Sequence, residues 1–290
     1  MKTDVAWKKI IDGLFRQFVE FFMPEIYDLI DFSVEPKSLD NEFKALFPES
    51  ETDDKRVDKL FEVKLRNNDT KWILLHIEIQ SYKDKYFSKR MYHYYSRIFD
   101  KYDKEIEAIA VYTYKSDLYK YNEYKQELKT TKLIYQYKIY DIAIQDIKDL
   151  EKSKNPFSFA IQTLIKAFDY DESDQKNFNF KLELTKLLLE SGFSNAEINN
   201  LFAFINHVFE IKDKNLRYEF YKEAKGMALS NRNYEYELTD FEQVAVEKAE
   251  ERRNKEIAIN MLKNNEPVEK VTSYTGLTIR EVEELKKNLE

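Results

Sequence analysis

Two stretches of sequence decide the fold: Arg56–Leu65, which reads RVDKLFEVKL, and Trp72–Gln80, which reads WILLHIEIQ. Both are apolar in alternation and rich in β-branched and aromatic residues, which is typical of strands, and the polar segment 67–70 joins them. In the second stretch Glu78 stands between two isoleucines. A carboxylate between two core residues needs a cation or several hydrogen-bond donors to keep its charge. The hairpin is therefore predicted to hold an acid in a buried position where such a partner stabilises it.

Side chains alternate between the faces of a strand, so Glu78 is expected to share a face with Gln80. Pairing Asn67 with Lys71 places Asp58 opposite Gln80 and makes Glu78 its diagonal neighbour, roughly 5–8 Å away. A two-residue turn would instead put the two acids on opposite faces. Joint action of Asp58 and Glu78 therefore requires an odd loop or a bulge.

The composition of the chain indicates a globular protein. Its 290 residues are 43% apolar and 35% charged, and no apolar run reaches the roughly 20 residues that span a membrane. The lack of cysteine excludes disulfides and fits a cytoplasmic location, and four glycines exclude a glycine-rich phosphate loop. We therefore expect no membrane partner and no organic cofactor. The net charge of −7 argues against unspecific coating of DNA but allows a local basic surface.

The hydrophobic periodicity divides the chain into three parts. Residues 1–150 follow the order helix, strand, strand, strand, helix, strand, strand, which predicts a mixed α/β core with residues 86–102 as the crossover helix. A helical or loop segment is expected between the last two strands, within the tyrosine- and lysine-rich stretch 112–140, which we interpret as an amphipathic edge rather than a surface for single-stranded nucleic acid. Residues 151–240 predict a helical domain, and 241–290 a helical tail.

The tail has the pattern of a helix-turn-helix, with Gly276 as the turn glycine. It carries 9 basic and 11 acidic residues, whereas a DNA reader is expected to be basic. We therefore favour an interaction or dimerisation element over base readout.

The N-terminal half resembles the PD-(D/E)XK nuclease superfamily and, within it, the Rpn family of PD-(D/E)XK transposases. The resemblance covers most of the chain and rests on Arg56-x-Asp58, His76-Ile77-Glu78-Ile79-Gln80 and Arg90-Met91-x-x-Tyr94, with support from Trp7-Lys8, Phe15, Pro24 and Thr275-Gly276-Leu277. It implies a restriction-endonuclease-like α/β core, followed by an all-helical C-terminal half, and metal-dependent cleavage of DNA linked to recombination or mobile elements. Members often dimerise to cut both strands, so a homodimer is compatible with the resemblance.

Carried over position by position, Asp58 matches the motif aspartate, Glu78 matches the glutamate of E-x-K, and Gln80 occupies the lysine position. Val57 replaces the proline that names the motif, while glutamine at the last position is usual among Rpn-like sequences. The resemblance implies that Asp58, Glu78 and the backbone carbonyl of Ile79 bind Mg²⁺, with Mn²⁺ as a substitute. Because glutamine carries no charge, we expect Gln80 to orient the attacking water while the metal activates it, with slow turnover.

Further residues are candidates to support this site. Arg90, Tyr94, Arg97 and Lys101 fall on one helical face, and such a row can meet phosphates or hold the carboxylates. His76 shares the face of the acids, where a packed structural histidine is favoured over a role near the metal. For a further metal ligand, spacing does not choose between the first-helix acids at positions 12 and 20.

The rival interpretation is a module that retains the fold without catalysis and binds DNA or a protein. In it Asp58 caps a strand end and Glu78 forms an ion pair with Arg56 or Arg90. A third alternative places the function in the helical half, as a structural or regulatory partner.

Overall fold

The structure is a computed structural model that describes residues 3–45, 57–66, 72–115, 120–168, 173–230 and 253–289. Two compact units divide it, Met1–Glu210 and Ile211–Glu290. Among the described helices, none is long and apolar enough to cross a membrane.

The first unit contains a five-stranded mixed sheet, a separate two-stranded hairpin and surrounding helices. Its strands are β1 (Lys37–Ser38), β2 (Val57–Lys64), β3 (Trp72–Gln80), β4 (Ile106–Tyr112), β5 (Glu123–Glu127), β6 (Lys132–Gln136) and β7 (Lys138–Asp141). Its helices are α1 (Thr3–Gly13), α2 (Phe15–Phe22), α3 (Pro24–Tyr27), α4 (Asp40–Ala45), α5 (Phe87–Tyr102), α6 (Ile147–Leu150), α7 (Pro156–Phe168), α8 (Asp174–Glu190) and α9 (Asn195–Val208), with a 3-10 turn at Ile142–Ile144.

The five-stranded sheet has the order β1-β2-β3-β4-β7. Strands β1, β2 and β3 pair antiparallel, whereas β3, β4 and β7 pair parallel, with α5 as the crossover between β3 and β4. The structure thus confirms the mixed α/β core with α5 as its crossover helix, and it places the short helix α4 between β1 and β2. It differs in the stretch 112–140, where the expected helical or loop segment is the antiparallel hairpin β5–β6.

Strand β3 is buried from Ile73 to Gln80, as expected for a central strand that has a parallel neighbour and helices on both faces. On one face, a hydrophobic cluster joins the sheet to α5 and α4 through Leu39, Phe43, Leu60, Leu74, Tyr94 and Ile98. On the opposite face, Phe15 of α2 contacts Phe61 of β2, with ring centroids 4.3 Å apart. Any charged group on β3 therefore lies inside the protein.

One aromatic side chain links four helices of the first unit. Trp7 of α1 is fully buried, and its ring centroid lies 6.4 Å from Phe22 of α2, 6.4 Å from Phe157 of α7 and 5.4 Å from Phe204 of α9. The helices α7 and α9 therefore share an aromatic cluster with α1 and α2 inside the first unit.

After β7 the described residues contain helices and no strand, which confirms the all-helical C-terminal half. The second unit comprises α10 (Lys214–Ser230), α11 (253–263), α12 (Val268–Thr275) and α13 (Ile279–Lys287). Gly276 ends α12 at φ 67°, a conformation that favours glycine, and Thr278 starts α13 with a capping box that includes Glu281. Helices α12 and α13 thus follow one another across a short turn at Gly276, as the pattern of the tail predicts, while their assignment as a helix-turn-helix stays a prediction.

We predict that Trp7→Ala lowers the free energy of unfolding by about 3–5 kcal/mol, because it opens a cavity where four helices meet. Urea denaturation followed by far-UV circular dichroism measures the change. Ile144→Ala is the control, since Ile144 is 77% exposed and its loss should change stability by no more than about 0.5 kcal/mol. Equal effects of the two substitutions would contradict the assignment of the core.

Candidate functional site

The register of β2 and β3 brings the two motif acids to directly opposed positions. Val57 pairs with Ile79, and Asp58 pairs with Glu78. The prediction that Asp58 lies opposite Gln80 is therefore wrong by two residues. Because a shift of two residues preserves the faces of both strands, Asp58 and Glu78 still occupy positions on one side of the sheet. The structure describes the backbone of Asp58 but not its side chain, and the loop 67–71 lies outside the described residues.

The Glu78 carboxylate is completely buried, and among the described residues only one of its two oxygens has a partner. Its Oε1 accepts a hydrogen bond from Arg90 Nη2 at 3.0 Å, in a salt bridge that links β3 to α5. Its Oε2 is buried and has no hydrogen-bond partner among the described residues. A buried oxygen of this kind is costly unless something else binds it.

Arg90 is the centre of the polar contacts around this carboxylate. Besides Glu78, its guanidinium donates to Gln80 Oε1 at 2.8 Å and forms an ion pair with Asp84, and its Cζ lies 4.9 Å from the centroid of the Phe87 ring. Asp84 is itself fixed, because its Oδ1 accepts a hydrogen bond from the Tyr86 amide at 2.8 Å. The predicted pairing of Glu78 with Arg90 is therefore found, while Arg56 lies outside the described residues.

Gln80 uses both ends of its carboxamide within the protein. Its Oε1 accepts from Arg90, its Nε2 donates to the Tyr82 carbonyl, and the side chain is buried. These contacts position Arg90 against Glu78. The predicted orientation of water by Gln80 stays a prediction, as does the metal contact of the Ile79 carbonyl, which belongs to a residue that is 1% exposed.

His76 lies on the same face of β3 as Glu78 but inside an aromatic cluster. Its ring centroid is 5.4 Å from Phe43 and 5.5 Å from Tyr94, and neither ring nitrogen has a hydrogen-bond partner among the described residues. Complete burial, followed by the charge of Arg90, lowers the pKa of His76 to about 3. The imidazole is therefore neutral at pH 7, which fits a packed structural histidine.

The predicted row on α5 does not form one surface. Arg90 and Tyr94 are directed into the protein, where Tyr94 is 3% exposed, whereas Arg97 and Lys101 are exposed to solvent. Helical spacing placed the four backbones correctly, but it does not set the depth to which each side chain reaches.

The two acids expected on the first helix, which the structure divides into α1 and α2, form polar contacts with residues other than Glu78. Asp12 and Asp40 both form ion pairs with Lys59, a buried lysine whose β-ladder partner is Ile77, on the other face of the sheet from Glu78. Glu20 accepts a hydrogen bond from Asn155 Nδ2 at 2.9 Å. Within the described residues, no group of three His, Asp or Glu side chains is arranged to hold a metal ion.

Sequence reasoning missed Asp84, the residue that holds Arg90 from the side opposite to Glu78. Its one local signal is its position two residues before Tyr86, where an aspartate commonly accepts a backbone hydrogen bond ahead of a helix. No family model, curated protein or solved structure matches the chain.

We predict that Arg90→Met destabilises the protein by about 3–5 kcal/mol, because it leaves the buried Glu78 carboxylate without its cation. The double variant Arg90→Met with Glu78→Met should recover most of that loss, since two apolar side chains then replace the buried pair. Urea denaturation of both single variants and the double variant gives the coupling energy. Additive losses would show that the two side chains do not depend on each other.

We predict that stability falls as the pH is lowered from 7 to 5, with His76 as one source. The unfolded chain binds a proton at His76 below about pH 6.5, whereas the folded chain binds it only near pH 3. The unfolded state then holds more protons, so this residue alone removes about 2 kcal/mol at pH 5. His76→Phe should remove that part of the slope in EDTA-containing buffer, while the control His207→Gln retains it.

Proposed function

We propose that this chain is a metal-dependent DNA endonuclease in which Asp58 and Glu78 bind one Mg²⁺ ion, with Mn²⁺ as a substitute. The observation that supports the proposal most directly is that Glu78 Oε2 has no hydrogen-bond partner among the described residues, on a strand position directly opposite Asp58. Directly opposed residues have Cβ atoms about 4.5–5.5 Å apart, which is close enough for two carboxylates to share an ion held by bonds of about 2.1 Å.

The surroundings of Glu78 suit a ligand held in advance of ion binding. Arg90 fixes Oε1, and Gln80 and Asp84 fix Arg90, so the carboxylate has little freedom to rotate. Such supporting contacts orient the ligand and normally matter almost as much as the ligand itself. Carboxylate and carbonyl oxygens are also the donors that Mg²⁺ prefers, which is compatible with the proposed contribution of the Ile79 carbonyl.

A bound divalent ion lowers the pKa of its water and balances charge on the phosphate. The chain contributes the orientation of the ligands, and Arg90 keeps a positive charge beside them. Gln80 would have to release one of its two hydrogen bonds before it could orient a water, so we expect slow turnover. DNA as the substrate, the link to recombination or mobile elements, a cytoplasmic location and a homodimer are parts of this proposal that rest on the family resemblance.

The alternative, a module that binds DNA or a protein without catalysis, has one observation in its favour. Arg90 already neutralises Glu78, and both ends of the Gln80 carboxamide are occupied, so the described contacts are self-sufficient except at Oε2. Calorimetric titration with Mg²⁺ and Mn²⁺ separates the two functions. A complete lack of metal binding by the wild-type protein would favour the module.

We predict that the wild-type protein nicks supercoiled plasmid in Mg²⁺ and not in EDTA, and that Glu78→Gln reduces the rate by at least about 100-fold. Glutamine retains an acceptor for Arg90 but removes the charge that binds the ion, so the fold should persist. Glu151→Gln, at an exposed position in the same unit, is the matched control and should nick as wild type does. Nicking that persists in EDTA, or that is unaffected by Glu78→Gln, would refute the proposal.

A further inference from the structure

The outward side of α5 and the turn before it carry a row of basic residues at regular four-residue intervals, of which Lys85 precedes the helix. Lys85, Lys89, His93, Arg97 and Lys101 are all exposed, and we refer to these five residues as the α5 basic stripe. Within α5 the row extends from Lys89 to Lys101, which is about 18 Å because each residue of an α-helix rises about 1.5 Å, and it winds about a third of the way around the helix. That length corresponds to about five phosphates of one strand along a DNA duplex.

The local charge contrasts with that of the whole chain, which has a net charge of −7. Residues 83–101 contain six lysines and arginines but only two acids, Asp84 and Asp100. Asp84 is already paired with Arg90, so Asp100 is the one acid of this segment on the solvent side that is not committed to that pair. The segment is thus a basic strip on an acidic protein.

The basic groups are close enough to influence one another. Partial burial first, and then the charges of Lys89 and Arg97, lower the pKa of His93. Like charges four residues apart on a helix destabilise it slightly, and a bound anion removes that repulsion. A polyanion that lies along the row is therefore expected to stabilise the helix by reducing this repulsion.

Exposed aromatic rings accompany the stripe. Tyr86 is 63% exposed and Phe99 is 44% exposed, and Lys85 Nζ lies 4.7 Å from the centroid of the Tyr86 ring. Aromatic rings beside lysine and arginine are typical of surfaces that follow a nucleic-acid backbone and contact its bases or sugars.

We propose that the α5 basic stripe is the surface along which the DNA backbone binds. The choice of DNA among polyanions rests on the proposed function, because the inward side of the same helix delivers Arg90 to Glu78. A DNA strand on the outward side would lie next to the helix whose Arg90 contacts the candidate ligand Glu78. None of the five stripe residues is required to contact the metal.

The test is binding of a fluorescein-labelled 20-base-pair duplex, measured by anisotropy in EDTA at several salt concentrations. The variant Lys85→Gln with Lys89→Gln should bind about 10-fold more weakly at 50 mM salt and lower the salt slope by about two units. The variant Lys85→Arg with Lys89→Arg retains both charges and should bind as wild type does. Lys148→Gln with Lys154→Gln removes two exposed lysines elsewhere in the first unit and is the matched control, with an expected change below twofold.

Three results would overturn the proposal that DNA binds along the α5 basic stripe. If wild type and the variant Lys85→Gln with Lys89→Gln bind the duplex equally well, DNA does not bind along the α5 basic stripe. The nicking experiment on Glu78 still decides the proposed function in that case. If the α5 variant and the control weaken equally, net charge alone explains binding. If wild type fails to bind any duplex but binds vesicles of anionic lipid, the stripe faces a membrane surface, and the DNA substrate of the proposed function fails with it.

Discussion

The ion pair between Arg90 and Glu78 is the interaction on which this half of the molecule depends. It joins the central strand β3 to the crossover helix α5, and both groups are almost entirely removed from water. A carboxylate at 0% exposure could not remain charged in that sheet without a cation, and the guanidinium gives it a partner with a fixed direction. The pairing of α5 with the sheet is therefore set by charge as well as by the apolar cluster of α5 and β3.

The same ion pair contacts only one of the two oxygens of the Glu78 carboxylate. Arg90 satisfies Oε1 of Glu78, Oε1 of Gln80 and Asp84, yet Glu78 Oε2 has no partner in the described part of the chain. Buried polar atoms are nearly always satisfied in folded proteins, and a bound ion or water is one explanation for an exception. A purely structural salt bridge would gain from satisfying both oxygens. This asymmetry, rather than the acidity of the strand, favours a binding role for Glu78.

The sequence predicted the elements better than it predicted their register. Alternation in Trp72–Gln80 placed Glu78 and Gln80 on one face, and the helix expected over 86–102 is α5, because both patterns are strongly periodic. The two-residue error at Asp58 arose because a shift of two preserves every face, so the hydrophobic pattern cannot distinguish the two registers. The hairpin β5–β6 was missed because β5 has a single aromatic residue among four polar ones, which leaves no apolar alternation to detect.

The site itself was predictable only in part, because its contacts cross elements. Glu78, Gln80 and Arg90 were identified by motif, but the role of Asp84 depends on the turn before α5, which no periodicity describes. Helical arithmetic grouped Arg90 with Arg97, although one reaches a buried carboxylate and the other faces solvent. The environment of a long side chain depends on which neighbouring element, if any, its side of the helix packs against. The inner positive charge of α5, that of Arg90, is therefore paired with Glu78 and Asp84, whereas Arg97 lies on the solvent side of the helix.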